Sequence, residues 1–342
     1  MKQGKFKAMR WIALLLVLLL ALPLAGCGSD SKSSKKDGLT EIDVVLDWYP
    51  NAVHSFLYYA QEKGYFKDEG LKVKIIPPAE SVDSINFVAS GKAQIGITYP
   101  IDTINAYVNQ KMPVRAIGAI SQKSLGVMCS LKENSINQDM SSLKGKKIGY
   151  DGTGAAKAEV EAVAKSAGLT SDDYELDNVG FDLVTALTTK KVDLIAGPLI
   201  NDEVITMQNA GYDINVWSYS DYGLPEFYGL IFVADDKAYQ KDPETYQAFL
   251  RACRKGFDDM KSDEKGTLDL IMDKMSTEDN PLDRTQQQGS YEALIPRMEP
   301  KDGDFLTMSK SRWQSYIDWM YKNKLIKKKC KPSEVMTAPT FK

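Results

Sequence analysis

Aromatic, acidic and amide side chains recur just after predicted strands and in turns, where they can form a site for a flat, polar molecule. Aromatic rings offer planes for stacking, carboxylates accept hydrogen bonds from amines, and amides both donate and accept. No arginine stands in these segments, so the sequence favours a neutral or weakly basic ligand over an anion. The candidate ligand-binding residues are Asp47, Trp48, Tyr49, Asn51, His54, Tyr99, Asn201, Glu203 and Tyr222.

Several of these residues also have purely structural interpretations, and the sequence leaves both open. Asn51 follows Pro50 and can cap the next helix. Glu203 can be a first-turn carboxylate that the helix dipole stabilises. Trp48 can pack in the core, and His54 can be a buried histidine whose ring nitrogens are already hydrogen-bonded.

The same residue inventory argues against an enzyme or a metal site. His54 is the only histidine, and the chain contains no Gly-x-Ser-x-Gly nucleophile motif. After Cys27 the cysteines are Cys129, Cys253 and Cys330, an odd number without a close pair or a neighbouring histidine. We therefore expect no metal, no cofactor and no disulfide framework. Three idle thiols are favoured, and a single disulfide remains an alternative.

The N-terminus predicts export and lipid anchoring. Basic residues precede an uncharged apolar run over 11–22, which is typical of a secretory signal. Cys27 follows a Leu-Ala-Gly triplet and resembles the lipobox cysteine that is acylated in bacterial lipoproteins. We expect residues 1–26 to be a signal peptide, residues 27–39 a flexible tether, and the mature protein to be lipid-anchored on the extracytoplasmic face of the cell membrane.

Signal cleavage would also change the charge of the protein. Removing the four basic residues of the signal lowers the formal net charge from −3 to −7. A mature protein this acidic has no general attraction for nucleic acid or for an anionic membrane. We expect a monomer without a nucleic-acid partner.

Two series of alternating strands and helices must position the candidate residues. Such β-α-β alternation predicts an α/β protein with two lobes around a ligand cleft, and ligands are expected at the C-terminal ends of the strands. Strands are predicted over 42–46, 71–76, 94–98, 143–150 and 192–196, and helices over 55–63, 81–89, 155–166, 243–260 and 313–322.

The predicted domain organisation interleaves the two lobes along the chain. Residues 40–125 and 231–342 are expected to form the first lobe, and residues 126–230 the second. The β-prone stretches 114–129 and 228–234 are the candidate crossings between them.

The segment 46–54, Leu-Asp-Trp-Tyr-Pro-Asn-Ala-Val-His, resembles the opening of solute-binding proteins that take up the pyrimidine precursors of thiamine. Asp47-Trp48-x-Pro50-Asn51 with His54, the Asn201-x-Glu203 pair and Gly223-x-Pro225 are the narrower signals of this pyrimidine branch. Other matching segments are shared with a wider superfamily that includes sulfonate and nitrate binders. The similarity covers most of residues 40–255.

This resemblance implies the type II periplasmic-binding-protein fold and a role as the solute-binding component of an ABC importer. Its partners would be the permease and ATPase subunits and a small aminopyrimidine, a hydroxymethylpyrimidine or formylaminopyrimidine. The aromatic rings would stack on the pyrimidine, and Glu203 would accept a hydrogen bond from its exocyclic amine. Ala52-Val53 depart from the family pattern, which commonly has an Asn-containing pair there. Sulfonate or taurine, nitrate and a riboflavin precursor therefore remain alternative ligands.

Two features bear on these alternatives. The turn Asp151-Gly152-Thr153-Gly154 could present backbone amides to an anion, as sulfonate binders do. The family also resembles the fungal synthase that builds the same pyrimidine from its own histidine and a lysine-bound pyridoxal phosphate. Thr98 and Asp102 stand where that lysine and histidine are expected, and the synthase's cysteine cluster has no counterpart around 222–228. A synthase-like enzyme is therefore the less favoured interpretation.

Overall fold

The computed structural model describes residues 35–36, 38–79, 83–180 and 182–341. The predicted signal peptide, Cys27 and most of the predicted tether lie outside these residues. The chain from Ser33 to Lys342 forms one compact unit. None of the helices in the described ranges is long and apolar enough to cross a membrane.

Eleven strands in the described residues form two sheets. They are β1 Lys35–Lys36, β2 Leu39–Val45, β3 Leu71–Ile76, β4 Ile95–Thr98, β5 Val114–Ala119, β6 Gly126–Leu131, β7 Lys147–Tyr150, β8 Glu175–Asn178, β9 Leu194–Leu199, β10 Ile214–Trp217 and β11 Ile231–Asp235. In the first sheet the order is β1-β2-β4-β11-β5, and β3 pairs with β2. In the second sheet the order is β10-β6-β9-β7-β8.

Strand directions place particular strand ends at the same edge of each sheet. β2 runs parallel to β3 and β4, whereas β11 is antiparallel to both β4 and β5. In the second sheet β7 runs parallel to β8 and β9, and β6 is antiparallel to β9 and β10. The parallel strands therefore end together, as a cleft at their C-terminal edges requires.

Helices cover the faces of both sheets. They are α1 Ser55–Glu62, α2 Tyr65–Asp68, α3 Asp83–Ala89, α4 Pro100–Gln110, α5 Gly154–Ser166, α6 Leu183–Thr188, α7 Glu203–Asn209, α8 Asp236–Lys241, α9 Pro243–Ser262, α10 Glu264–Leu270, α11 Arg284–Met298, α12 Lys310–Lys322 and α13 Pro332–Val335. A π-helical turn, Ile271–Met275, continues α10.

β11 shows how the sequence pattern builds the core. Phe232 and Ala234 pack into an apolar cluster with α1 and α9, while Ile231 and Val233 pack into a second cluster on the opposite face. This alternation follows from the period of two in a strand. β11 is therefore buried on both faces at the centre of the first sheet.

The second cluster continues from the first sheet into the second. It contains Ala116 and Val233 of the first sheet, Ile148 and Leu194 of the second, and Trp313 of α12. The two lobes therefore share an apolar core along α12.

The prediction of strands and helices agrees with the structure over most of both series. The β-prone stretch 114–129 separates into β5 in the first sheet and β6 in the second, so residues 120–125 make the crossing itself. The unpredicted elements include β8, β10, α4 and α11, and the strand predicted over 143–150 begins only at Lys147.

The three described cysteines are buried free thiols, as the favoured interpretation predicted. Burial raises the pKa of Cys129 to about 12 and that of Cys330 to about 11. Thiols held this far from ionisation are poor nucleophiles and poor metal ligands.

Candidate functional site

The strand ends of the two lobes meet at the candidate site. Asp47 follows β2 and Tyr99 follows β4, both at the C-terminal edge of the first sheet. β9 of the second sheet ends at Leu199, and both Leu199 and Ile200 pack against the apolar cluster of the first lobe. Residues after β9 therefore face residues after β2 and β4.

A compact hydrogen-bonded loop follows β2. His54 is fully buried; its Nδ1 accepts from the Asn51 amide at 3.3 Å, and its Nε2 lies 2.9 Å from Asp47 Oδ1. Since Nδ1 accepts a hydrogen bond, the ring carries its proton on Nε2 and donates it to Asp47. His54 positions the Asp47 carboxylate and has no ring nitrogen left for a ligand.

Asn51 has the capping role that the sequence left open. Its Oδ1 accepts from the Val53 amide at 3.1 Å, and its Nδ2 donates to the Tyr49 carbonyl at 3.1 Å. Trp48 is not core, because 53% of it is exposed, and its ring stands perpendicular to the exposed ring of Tyr49 at a centroid distance of 5.9 Å. The loop thus holds two aromatic planes out toward solvent.

Tyr99 is the residue on which the carboxylates of both lobes converge. It is half-buried and packs against the first-lobe cluster. Burial raises the pKa of its hydroxyl well above the ordinary tyrosine value. The nearby carboxylates of Asp47, Asp102 and Glu203 raise this pKa further. Because Glu203 belongs to the second lobe, the site spans the cleft.

The segment after β9 supplies an amide and a carboxylate. Asn201 is only 6% exposed, and its buried Oδ1 has no hydrogen-bond partner among the described residues. Glu203 begins α7, and its Oε2 accepts from the Leu199 amide at 2.7 Å. Burial raises the pKa of Glu203, and the Leu199 hydrogen bond partly opposes that rise. An unpartnered buried amide oxygen is a place for a ligand donor.

Helix α11 contacts both halves of the site, although no sequence pattern predicted it there. Gln287 Oε1 accepts from the buried Ala52 amide at 2.8 Å and so holds the loop after β2. The adjacent Gln286 donates to the Asp202 carbonyl at 3.0 Å and to Thr206 Oγ1 at 3.1 Å, at the start of α7. One helix thus contacts the loop that carries Asp47 and the helix that carries Glu203.

A second group of polar residues lies on the α4 and α5 side of the cleft, and most of it was not predicted. Asp102 is solvent-accessible, yet desolvation by surrounding protein raises its pKa to about 6, against a hydrogen bond from Thr98. Burial raises the pKa of Glu159 to about 8. Tyr219 is 3% exposed, and its hydroxyl has no partner in the described residues.

Shared electrostatic neighbours relate these residues to one another. Asp102 and Glu159 both raise the pKa of the buried Tyr316, and Glu159 also raises that of Tyr219. The sequence did carry a signal for Glu159. Ala156, Val160 and Val163 form the buried stripe of α5, and a residue at position 159 falls on the same face.

Tyr222 lies apart from the other candidates. Its hydroxyl donates to the Gln138 carbonyl at 2.7 Å within the second lobe.

In the turn before α5, two backbone amides are already hydrogen-bonded to side chains of the turn. The Thr153 amide donates to Asp151 Oδ1 at 2.8 Å, and the Ala156 amide donates to Thr153 Oγ1 at 3.1 Å. Side chains of the turn therefore satisfy amides that a sulfonate would need.

Comparison with known proteins identifies a family and its relatives. The model of the NMT1/THI5 like family matches residues 51–266, more than half of the chain. A formylaminopyrimidine-binding protein of Halalkalibacterium halodurans is 30% identical over 314 residues, 92% of this chain and 93% of that protein. A 4-amino-5-hydroxymethyl-2-methylpyrimidine phosphate synthase of Aspergillus parasiticus is 29% identical over 73% of this chain and 75% of that protein.

Solved structures confirm the predicted fold. The periplasmic aliphatic sulphonate binding protein SsuA of Escherichia coli superposes with a TM-score of 0.69, covering 88% of this chain and 92% of that one. The two sequences are 16% identical, so this likeness concerns the fold alone. The two lobes around a cleft are those of a periplasmic binding protein.

Proposed function

The chain belongs to the NMT1/THI5-like family, and we propose that it is the extracytoplasmic solute-binding component of an ABC importer for an aminopyrimidine precursor of thiamine. The observation that carries this proposal is the convergence of carboxylates from both lobes on Tyr99. Acceptors on both sides of a closing cleft suit a ligand that presents an amine and a ring edge. The similarity to a formylaminopyrimidine-binding protein supports the same ligand class.

The proposed site divides the recognition between aromatic and polar groups. Trp48 and Tyr49 supply exposed planes for the pyrimidine ring, and Tyr99 forms the floor of the cleft. Glu203 accepts from the exocyclic amine, while the unpartnered Asn201 Oδ1 accepts from a second donor. Asp47, held by His54, completes the acceptor set.

Binding rather than synthesis is favoured by the residues at the synthase positions. Thr98 and Asp102, which stand where the resemblance places the synthase's lysine and histidine, are hydrogen-bonded to each other. Neither residue can form a Schiff base with pyridoxal phosphate, because that bond requires an amine.

An anionic ligand such as a sulfonate or nitrate is the competing proposal. Lys123 and Arg297 favour it, because they line a cavity beside the crossings together with Tyr219. The acidic groups around Tyr99 oppose it. Asp151 and Thr153 also oppose it, because their side chains already accept hydrogen bonds from two amides of the turn before α5.

A thermal-shift and calorimetric panel tests the ligand class. The panel comprises formylaminopyrimidine, hydroxymethylpyrimidine, thiamine, riboflavin, taurine and nitrate. A ligand at a hundredfold excess over Kd stabilises the folded state by about 2.7 kcal/mol, enough to raise Tm by several degrees. We expect this rise with the pyrimidines. A rise with taurine or nitrate alone would replace the pyrimidine proposal by an anion-binding one.

A further inference from the structure

Positive charge is concentrated in one short segment after α12. Six lysines occur within residues 322–331, and no acidic residue stands between Trp319 and Ser333. All six are exposed. In the described part of the chain, one of them has an ion-pair partner, Lys329 with Asp318 at 2.8 Å. We call these residues the lysine face: Lys322, Lys324, Lys327, Lys328, Lys329 and Lys331.

The lysine face is a folded surface rather than a loose tail. Ile326 and Cys330, which alternate with the lysines, are 3% and 7% exposed and pack into the shared apolar cluster. Asn109 of α4 fixes the backbone on both sides, donating to the Leu325 carbonyl at 3.1 Å and accepting from the Lys327 amide at 3.1 Å. Because the backbone is already ordered, binding through this face costs little conformational entropy.

An exposed aromatic ring accompanies the lysines. Tyr321 is 45% exposed, and Lys329 Nζ lies 5.5 Å from the centre of its ring. Lysines beside an exposed tyrosine are typical of surfaces that rest at the headgroup level of a bilayer. A protein partner would not in itself require this combination.

The lysine face lies at the end of the first sheet where the chain enters it. β11 is antiparallel to both β4 and β5, so β4 and β5 run in the same direction. β2 is parallel to β4 and therefore also runs in the direction of β5. The start of β2 at Leu39 and the start of β5 at Val114 are therefore at the same end. Asn109, which holds the lysine segment, lies just before β5. The chain that leads from Cys27, the expected lipid-anchored residue, therefore enters the first sheet at this same end.

We propose that the lysine face docks the protein onto anionic lipid headgroups of the membrane. The overall negative charge does not prevent this, since charges farther away than the Debye length of about 8 Å at physiological salt are largely screened at contact. Headgroup phosphates supply acceptors for the five lysines of the face that have no ion-pair partner in the described residues.

Vesicle flotation of the compact unit 33–342, which has no lipid anchor, tests the proposal. The vesicles are either pure phosphatidylcholine or phosphatidylcholine mixed with phosphatidylglycerol. The test variant is Lys322→Gln/Lys327→Gln/Lys328→Gln. The matched control is Lys63→Gln/Lys67→Gln/Lys74→Gln, which removes the same charge from exposed lysines elsewhere in the first lobe.

We expect the protein to bind only to the anionic vesicles and to be released by 0.5 M NaCl added at about physiological buffer strength. Each lysine removed should weaken partitioning onto the vesicles by about fivefold. The test variant should thus lose on the order of a hundredfold in partitioning, while the control keeps most of it. Equal losses in the two variants, or no binding of the wild type, would overturn the proposal. So would unchanged vesicle binding of the test variant together with loss of uptake in cells, because that result assigns the face to a protein partner. Titration of the same variants with a pyrimidine ligand tests the proposed function separately, because the substituted lysines lie outside the cleft.

Discussion

At the scale of single residues, the cleft is defined by groups that accept protons and hydrogen bonds. The carboxylates of Asp47, Asp102 and Glu203 all raise the pKa of Tyr99, and desolvation keeps the pKa values of the Asp102 and Glu203 carboxyls above their ordinary values. A site of this kind binds more tightly a ligand that donates hydrogen bonds or carries a proton, because such a ligand stabilises the desolvated carboxylates.

Glu203→Gln should weaken pyrimidine binding by about ten- to a hundredfold, since a charge-assisted hydrogen bond contributes roughly 1.5–3 kcal/mol. Glutamine keeps the size and can still accept from the Leu199 amide. Calorimetric titration and thermal melting measure both effects. Glu264→Gln is the control, because Glu264 also stands at the first position of a helix but is exposed. A Glu203→Gln protein that melts earlier yet binds normally would show a helix-terminus role only.

Asp102→Asn should raise Tm at pH 7, and the gain should shrink as the pH is lowered toward 4. The folded-state pKa of about 6 lies above the ordinary aspartate value of about 3.9. Between these pH values the folded protein holds a proton that the unfolded chain loses, so wild-type stability falls as pH rises. Melting curves from pH 4 to 8 measure this, with the exposed Asp172→Asn as control. A gain independent of pH contradicts the assignment.

At the scale of secondary-structure elements, an element could be predicted when its local sequence pattern alone determines its structure. β3 is found at its predicted bounds, because its alternation needs no tertiary context. Helix α11 carries three consecutive glutamines, 286–288, and lacks a clear apolar stripe, so nothing local marked it. Its position depends on long-range contacts such as Tyr291 Oη to the Met260 carbonyl at 2.9 Å.

The candidate site divides in the same way. Tyr99 was predicted because it directly follows a strand, and Glu203 because it lies one turn past a strand. Parallel strand ends converge at one edge of a sheet. Glu159 sits within a helix, and its place at the cleft depends on how α5 packs against the segment that carries Tyr219. His54 was identified from its motif, but its supporting role depends on the Asn51 amide that approaches its ring.

Gln286→Ala should loosen contact between the lobes, because it removes the hydrogen bonds from α11 to Asp202 and Thr206. At roughly 0.5–1.5 kcal/mol for a typical hydrogen bond, we expect Kd to rise about three- to tenfold. Small-angle scattering should show a larger radius of gyration without ligand and recovery with it. Gln288→Ala is the control, since Gln288 bonds to Glu264 and Glu292 within the first lobe. Identical radii of gyration for the Gln286→Ala and Gln288→Ala proteins would show that the hydrogen bonds of Gln286 do not hold the lobes together.

At the scale of the whole molecule, each lobe has its own sheet, and the two lobes share an apolar cluster along α12. We therefore expect any closure on a ligand to bend the crossings while α12 stays packed. An acidic body, a basic face and a proposed lipid anchor together describe a protein that works close to a membrane.

Cys27→Ser should abolish lipidation without changing the fold, because only the thiol is acylated and Cys27 precedes the compact unit. Palmitate labelling and membrane fractionation measure the loss. Cys330→Ser, which changes a buried thiol, should be labelled like the wild type. Continued labelling of the Cys27→Ser protein would remove the lipoprotein proposal.

The central place of β11 in the first sheet determines when the protein can fold. β4 and β5 end at Thr98 and Ala119, yet the strand that joins them is Ile231–Asp235, and the entire second sheet is made in between. A chain still emerging from the ribosome therefore lacks the strand that closes its first lobe until more than half of it has been synthesised. For a protein that is proposed to leave the cell by way of a signal peptide, we expect this delay to postpone folding of the first lobe while the chain is threaded through the membrane.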